Sequence, residues 1–271
     1  MKISNTWLPE FWLRSPIFSD LEPLIQEEGW SDWPDCDALN RLWCPRARLG
    51  SGKRACFYPQ SSLPVDAAFY EEHIYATGEI PTREQNWHDF FNAMIWLQFP
   101  KTKSVLNAQH MSEIWELRTH KIRTRKRDAI TLFDESGAIF VSASSSLLDA
   151  LRAHEWKKVF WESRTNWWEH CAVFIFGHGL YEKILSPYIG MTANTIPVLM
   201  AADFFMCDRR SQIRWLDQYL SEQIATGRQL QTSMSLTPLP VLGVPGWWPD
   251  NDRECFYENQ AYFRPLRGNR E

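Results

Sequence analysis

Residues 87 to 110 read WHDFFNAMIWLQFPKTKSVLNAQH, and this stretch decides the fold class. Its first half recurs at helical spacing, with Phe90, Phe91, Met94, Ile95 and Leu97 supplying apolar surface and Asn86 or Thr82 able to cap the first turn. Pro100 cannot continue that helix, yet it suits the first turn of another, which runs over roughly 101–117. A helix, a break and a second helix therefore occupy the middle of the chain, and helices dominate the reading outward from it.

Toward the N-terminus, Ser19 with Glu22 fits a capping box opening a helix through SDLEPLIQEE, with Gly29 to end it, and DALNRLW reads as a second short helix. RACFYPQ is a candidate strand, whereas AAFYEEHIYATGEIP fits helix and strand patterns equally. LGSGKRA has the glycines and lysine of a phosphate loop but not its spacing, so it reads as an exposed turn. Toward the C-terminus, DAITLF and AIFVSA around DESG predict a β-hairpin turning at Gly137. SSLLDALRAHE, KKVFWES and NWWEHCAVFIFGHGLYEKIL then predict helices, the last closed by Pro187. Asp208 can cap a final amphipathic helix carrying Ile213, Leu216, Tyr219, Leu220 and Ile224 on one stripe, and Gly227 marks its end. TPLPVLGVPGWWPDN is too rich in proline and glycine for regular structure, but its Val, Leu and paired Trp predict an extended tail packed on the body. The expected architecture is α+β: one helix-dominated domain with a small β-hairpin or sheet. Residues 1–50 form an acidic, Trp-rich N-terminal part, 51–235 the helical core with the hairpin, and 236–271 the tail.

Composition bounds the function. The chain has 271 residues, 44% of them hydrophobic and 14% aromatic, enough to bury a full core. No apolar run is long enough to cross a bilayer, IPVLMAADFFM (196–206) included, and the first residues lack a signal peptide's apolar segment, so a soluble cytoplasmic protein is expected. Six cysteines at 36, 44, 56, 171, 207 and 255 form no C-x-x-C pair and are expected as reduced, mostly buried thiols. The net charge of −4 hides an asymmetry: residues 1–38 carry eight acidic and two basic side chains, whereas 101–127 carry eight basic and two acidic. The two regions are suited to pair with each other. Nucleic-acid binding by RTHKIRTRKR (118–127) is possible but not favoured, because the whole chain is acidic.

The polar residues within the two central helices single out a site. At 100° per residue, Lys103, Asn107 and His110 fall inside the apolar arc set by Leu106, Met111, Ile114, Trp115 and Leu117, with Gln109, Ser112, Glu113 and Glu116 opposite. Three buried polar groups at i, i+4 and i+7 each need a partner, which a lined site supplies. His88 and Asn92 repeat the pattern one helix earlier, and His88 in a first turn is disfavoured as imidazolium. His178 and Glu182, one turn apart farther on, are placed to pair and orient the imidazole.

The runs NWHDFFNAMIWLQFPKTKSVLN, RDAITLFDESG, FGHGLYEKILSPYIGMTA and PLPVLGVPGWWPDN resemble a bacterial family catalogued as domain of unknown function 3025, and the likeness covers most of the chain from about residue 60 onward. The resemblance implies a bacterial, cytoplasmic, single-domain protein. It implies no catalytic residues.

From the residues themselves the first expectation is a pocket that binds or processes a small anionic ligand. His88, His110, His178 and Glu182 are its acid/base candidates, Asn92, Lys103 and Asn107 its donors, and Asp128 and Asp134 its rim. A second is a His/Glu metal site, which Lys103 would oppose by charge if it lay close. A third is a nucleic-acid or protein interaction module built on 118–127. No Ser-His-Asp order, G-x-S-x-G, Walker or G-x-G-x-x-G pattern occurs. No cofactor and no oligomeric state follow from the residues.

Overall fold

A computed structural model describes residues 5–43, 47–63, 70–120 (side chains through Trp115) and 124–266. Helices α1 (Glu22–Glu28) and α2 (Cys36–Arg41) open the chain, followed by β1 (Cys56–Pro59), α3 (Tyr70–Thr77) and β2 (Glu79–Thr82). Next come α4 (Trp87–Gln98), α5 (Pro100–His120), α6 (Arg125–Ser136), β3 (Gly137–Ser142) and α7 (Ser145–Arg152). The chain continues with α8 (Trp167–His170), β4 (Cys171–Ile175), α9 (His178–Ile184), β5 (Thr192–Leu199), α10 (Arg209–Ala225) and β6 (Thr237–Pro240). The expected helix-dominated α+β class is the one observed.

The central pair forms as its sequence requires. Asn86 accepts from the Asp89 backbone N–H to cap α4, and the chain turns at Phe99 and enters α5 on Pro100. The first turn of α5 is capped from outside: the Asp217 carboxylate on α10 accepts from the backbone N–H groups of Lys101 and Thr102, at 3.1 and 2.8 Å. Asp208 caps α10 through the Ser211 N–H, and Gly29 ends α1 with φ of 62°. Ser19 caps nothing. Pro16–Asp20 forms a tight 3-10 turn instead, and Leu21 stands at the head of α1 without a side-chain cap.

Two sequence expectations fail at the sheet. DAITLF is the body of α6 rather than a strand: Thr124 caps it, Ala129, Ile130 and Phe133 are buried at helical spacing, and Leu132 is left exposed. A strand alternation would have put Ile130 and Leu132 on one face. NWWEHCAVFIFGHGLYEKIL is three elements, not one helix, because CAVFI is a fully buried strand whose unbroken apolar run carries neither period. The resulting sheet has the order β4-β3-β5-β6, with β3 antiparallel to β4 and parallel to β5, and β5 antiparallel to β6. A second sheet pairs β1 with β2 in parallel across α3. The tail packs on the body as expected, with Val241, Leu242 and Val244 buried, but its first residues, expected to be irregular, form the strand β6 along β5 before short turns follow.

One continuous hydrophobic core runs from Trp7 to Phe263. The N-terminal aromatics join it directly: Trp7 stacks on Trp87 at 5.2 Å, Phe11 meets Phe91 edge-on, and Phe18 stacks on Tyr181. Among the described residues, no N-terminal acid pairs with the basic run. Asp20 holds Arg209 through two hydrogen bonds and Glu27 holds Arg210, both on α10, while Lys126 pairs with Glu113 of α5. Residues 121–123 of that run, and the side chains of 118–120, lie outside the described residues. The cysteines were expected to be mostly buried. Of the five described, only Cys36 and Cys171 are buried, and Cys207 and Cys255 are exposed. Among the described residues no helix is long and apolar enough to cross a membrane.

Candidate metal centre

The site grows from one tight joint. Gly137 starts β3 directly after α6, and its carbonyl accepts from the N–H groups of both Phe176 and Gly177, just before α9. A Cβ on Gly177 would lie 2.4 Å from the Gly137 nitrogen, so only glycine lets the two chain segments meet. This contact sets the end of α6 against the start of α9 and thereby brings Glu135 beside His178. Helix α4 packs across α9 and adds His88 from its first turn.

The two imidazoles face each other through Nε2, 3.0 Å apart, with their rings near perpendicular at 79°. Glu135 Oε1 lies 3.6 Å from His178 Nε2 and 4.0 Å from His88 Nε2. Behind His88, Nδ1 is 3.0 Å from Glu182 Oε2. A carboxylate only accepts, so Nδ1 carries the proton and the Nε2 lone pair of neutral His88 points at His178 and Glu135. The Glu182 bond raises the His88 pKa against the opposing effect of burial, and Glu135 adds to the rise. The nearby His178, with His88 adding to it, lowers that of Glu135 against the opposing effect of burial. Gly179 completes the cradle, since a Cβ there would sit 2.7 Å from Glu135 Oε2.

These groups open into a cavity of about 420 Å³ that is also lined by Tyr70, Glu71, Arg83, Asn92, His110 and Arg127. Most of its polar groups are already engaged. Asp89 takes Arg83 in a bidentate pair, at 3.0 and 2.8 Å. Asn92 donates to the Tyr70 hydroxyl, whose pKa burial raises well above the ordinary value. Burial lowers the pKa of His110, which keeps that imidazole neutral, and its Nδ1 is buried without a partner.

Among the residues picked from the sequence, His88, Asn92, His110, Asp134 and His178 line this one cavity. Glu182 stands behind His88 and not, as expected, on His178. Lys103 and Asn107 are buried beneath the lining: Lys103 holds Asp134 at 2.6 Å, and Asn107 donates to Glu71. Asp128 is not among the lining residues. On α5, Glu113 is buried against Thr124 and Lys126, and Trp115 is half exposed, so the apolar arc is narrower than its helical wheel suggests. Glu135 escaped the sequence reading because it lies in the turn of the expected hairpin, and Arg127 because it was counted only as part of the basic run 118–127. Read as one helix, Arg125–Ser136 places Arg127, Thr131, Asp134 and Glu135 on one stripe.

A family model described as protein of unknown function, DUF3025, matches residues 55–267. The chain belongs to the DUF3025 family. No curated protein and no solved structure matches it. The four residues gathered at the joint, His88, Glu135, His178 and Glu182, all fall within the part that this family shares.

Proposed function

We propose that this DUF3025 protein is a metal-dependent binding or processing site for a small ligand, with one divalent ion held by His88 Nε2, His178 Nε2 and Glu135. The observation that carries the reading is the facing pair of Nε2 atoms with a carboxylate at their side. Two nitrogens bound to one tetrahedral zinc stand about 3.3 Å apart, and the three observed separations bracket that spacing. Two imidazoles and one carboxylate leave an open position toward the cavity, the donor set of an ion that meets a ligand or a water. Glu182 supports the reading from behind, because a carboxylate on the far nitrogen orients a ligating histidine and makes it a better donor. Lys103 does not oppose it, since its charge is spent on Asp134. His110, neutral and facing the same cavity, is the group suited to exchange a proton with the ligand.

Titration of the metal-free protein with zinc, manganese and iron(II), read by calorimetry and elemental analysis, tests this. One ion per chain is expected, with His88→Gln and His178→Gln each weakening it by more than about tenfold. Absence of uptake, or uptake indifferent to both substitutions, would sink the reading.

A further inference from the structure

Arg127 differs from every other cation at the cavity. Arg83 is taken by Asp89 and Lys103 by Asp134, but no side-chain hydrogen bond or ion pair engages the Arg127 guanidinium among the described residues. It lies in the first turn of α6, half buried, close enough to His110 for its charge to be felt there. Glu135 lies two turns farther along the same stripe, with Thr131 and Asp134 between, and all four line the cavity. Eight residues of helix rise about 12 Å, so α6 holds two anchors apart along one wall. We infer that the site takes an elongated ligand with a metal-binding head at His88, His178 and Glu135 and an oxyanion tail, carboxylate or phosphate, on Arg127. This rests on the metal reading above and adds the chemical class of the ligand.

The charges make the two ends interdependent. Without an ion, Asp89 is matched by Arg83 and Asp134 by Lys103, which leaves Glu71 and Glu135 against Arg127, and the residual negative field disfavours an anion. A divalent ion removes that excess. Anion binding should therefore require the metal, and by linkage the anion should tighten the metal by the same factor. Guanidinium geometry suits a bidentate grip on a planar or tetrahedral oxyanion.

The test uses full-length protein, metal-free and zinc-loaded, titrated calorimetrically with acetate, succinate, glutarate and adipate, and with phosphonoacetate and 3-phosphonopropionate to separate the two kinds of tail. On the loaded protein, at least one two-headed probe should bind tenfold or more tighter than acetate, and the metal-free protein should bind none. Arg127→Met should reduce that probe to the level of acetate while zinc affinity stays within about twofold, and Arg127→Lys should recover part of the difference. Zinc uptake with no preference for a second charged group, or a preference that survives Arg127→Met, overturns this inference and leaves the metal reading standing. Failure of zinc, manganese and iron(II) to bind removes both.

Discussion

Lys103 shows what a single residue position can and cannot disclose. Helical phase put it in the apolar arc, and it is indeed only 4% exposed, but phase cannot say which partner reaches it. That partner, Asp134, sits 31 residues away in a segment whose sequence pattern misled. Burial pushes the Asp134 carboxyl up, yet Lys103 and the neighbouring histidines outweigh it and hold the pKa below the ordinary value. The pair braces the cavity floor rather than meeting a ligand. Lys103→Met should therefore destabilise the protein by about 3–5 kcal/mol in urea unfolding, since it strands a buried carboxylate. Adding Asp134→Leu should recover most of that loss, a coupling that a double-mutant cycle reads directly. Additive losses would mean the two side chains do not depend on each other. His88, Asn92, His110 and His178 were legible for a simpler reason: polar groups inside apolar arcs stand out whatever their partners are. Glu135 gave no such signal, because it lies where the helix end was read as a turn.

Among the elements, the helices capped by their own neighbours were the readable ones. Asn86 with α4, Asp208 with α10 and Gly29 with α1 are local marks, whereas β4 and α6 depend on partners brought in by the fold. The joint between α6 and α9 separates stability from site geometry at two glycines. Gly177→Ala would drive a methyl into the Gly137 backbone and should cost roughly 3 kcal/mol, seen as a lowered melting temperature. Gly179→Ala meets most closely, at 2.7 Å, the far end of the Glu135 side chain, which can swing away, and next the Glu135 carbonyl oxygen at 3.0 Å, which needs to give by only a few tenths of an ångström. Its melting temperature should move little while zinc affinity falls about tenfold or more; unchanged affinity would show that Glu135 is not a ligand. The contact between α5 and α10 carries a pH dependence of its own. Burial raises the Asp217 pKa more than its bonds to Lys101 and Thr102 lower it. The folded protein thus holds that proton more tightly than the unfolded chain does. Stability from this group is complete below the unfolded value and is lost as pH rises through the folded one. Comparing unfolding free energies across mildly acidic pH, Asp217→Asn should remove that downward component relative to the parent, whatever constant offset it adds. Parallel curves for the two proteins would exclude it.

At the scale of the whole molecule, the family match and the folded body do not coincide. The match begins at residue 55, yet the core begins at Trp7. Composition foretold enough apolar surface for a full core, and periodicity a helix-dominated class, but neither foretold that the acidic N-terminal part would cover α4 and α9. Phe11 and Phe18 lie fully buried against Phe91 and Tyr181, and Trp7 lies against Trp87, while Asp20 clamps Arg209, itself 3.4 Å over the Phe174 ring. Burying Trp7, Phe11, Phe18, Leu21 and Ile25 at roughly 1.5–3 kcal/mol each amounts to about 8–15 kcal/mol. That gross figure, before the entropy of ordering the segment is set against it, is of the same order as the net stability of a typical domain, about 5–15 kcal/mol. A fragment limited to residues 55–271 would lose these contacts and leave Trp87, Phe90 and Phe91 facing water. It should keep helical far-ultraviolet dichroism, lose the near-ultraviolet signal of its packed tryptophans, bind a hydrophobic dye and melt without a cooperative transition. Because His88 is held by the first turn of α4, directly under that cover, the fragment should also take up zinc at least tenfold more weakly than the full chain. A fragment that melts cooperatively with undiminished zinc affinity would show that the N-terminal part is a cover added to an independent body, and that the energy of those five side chains is spent elsewhere than in holding the site.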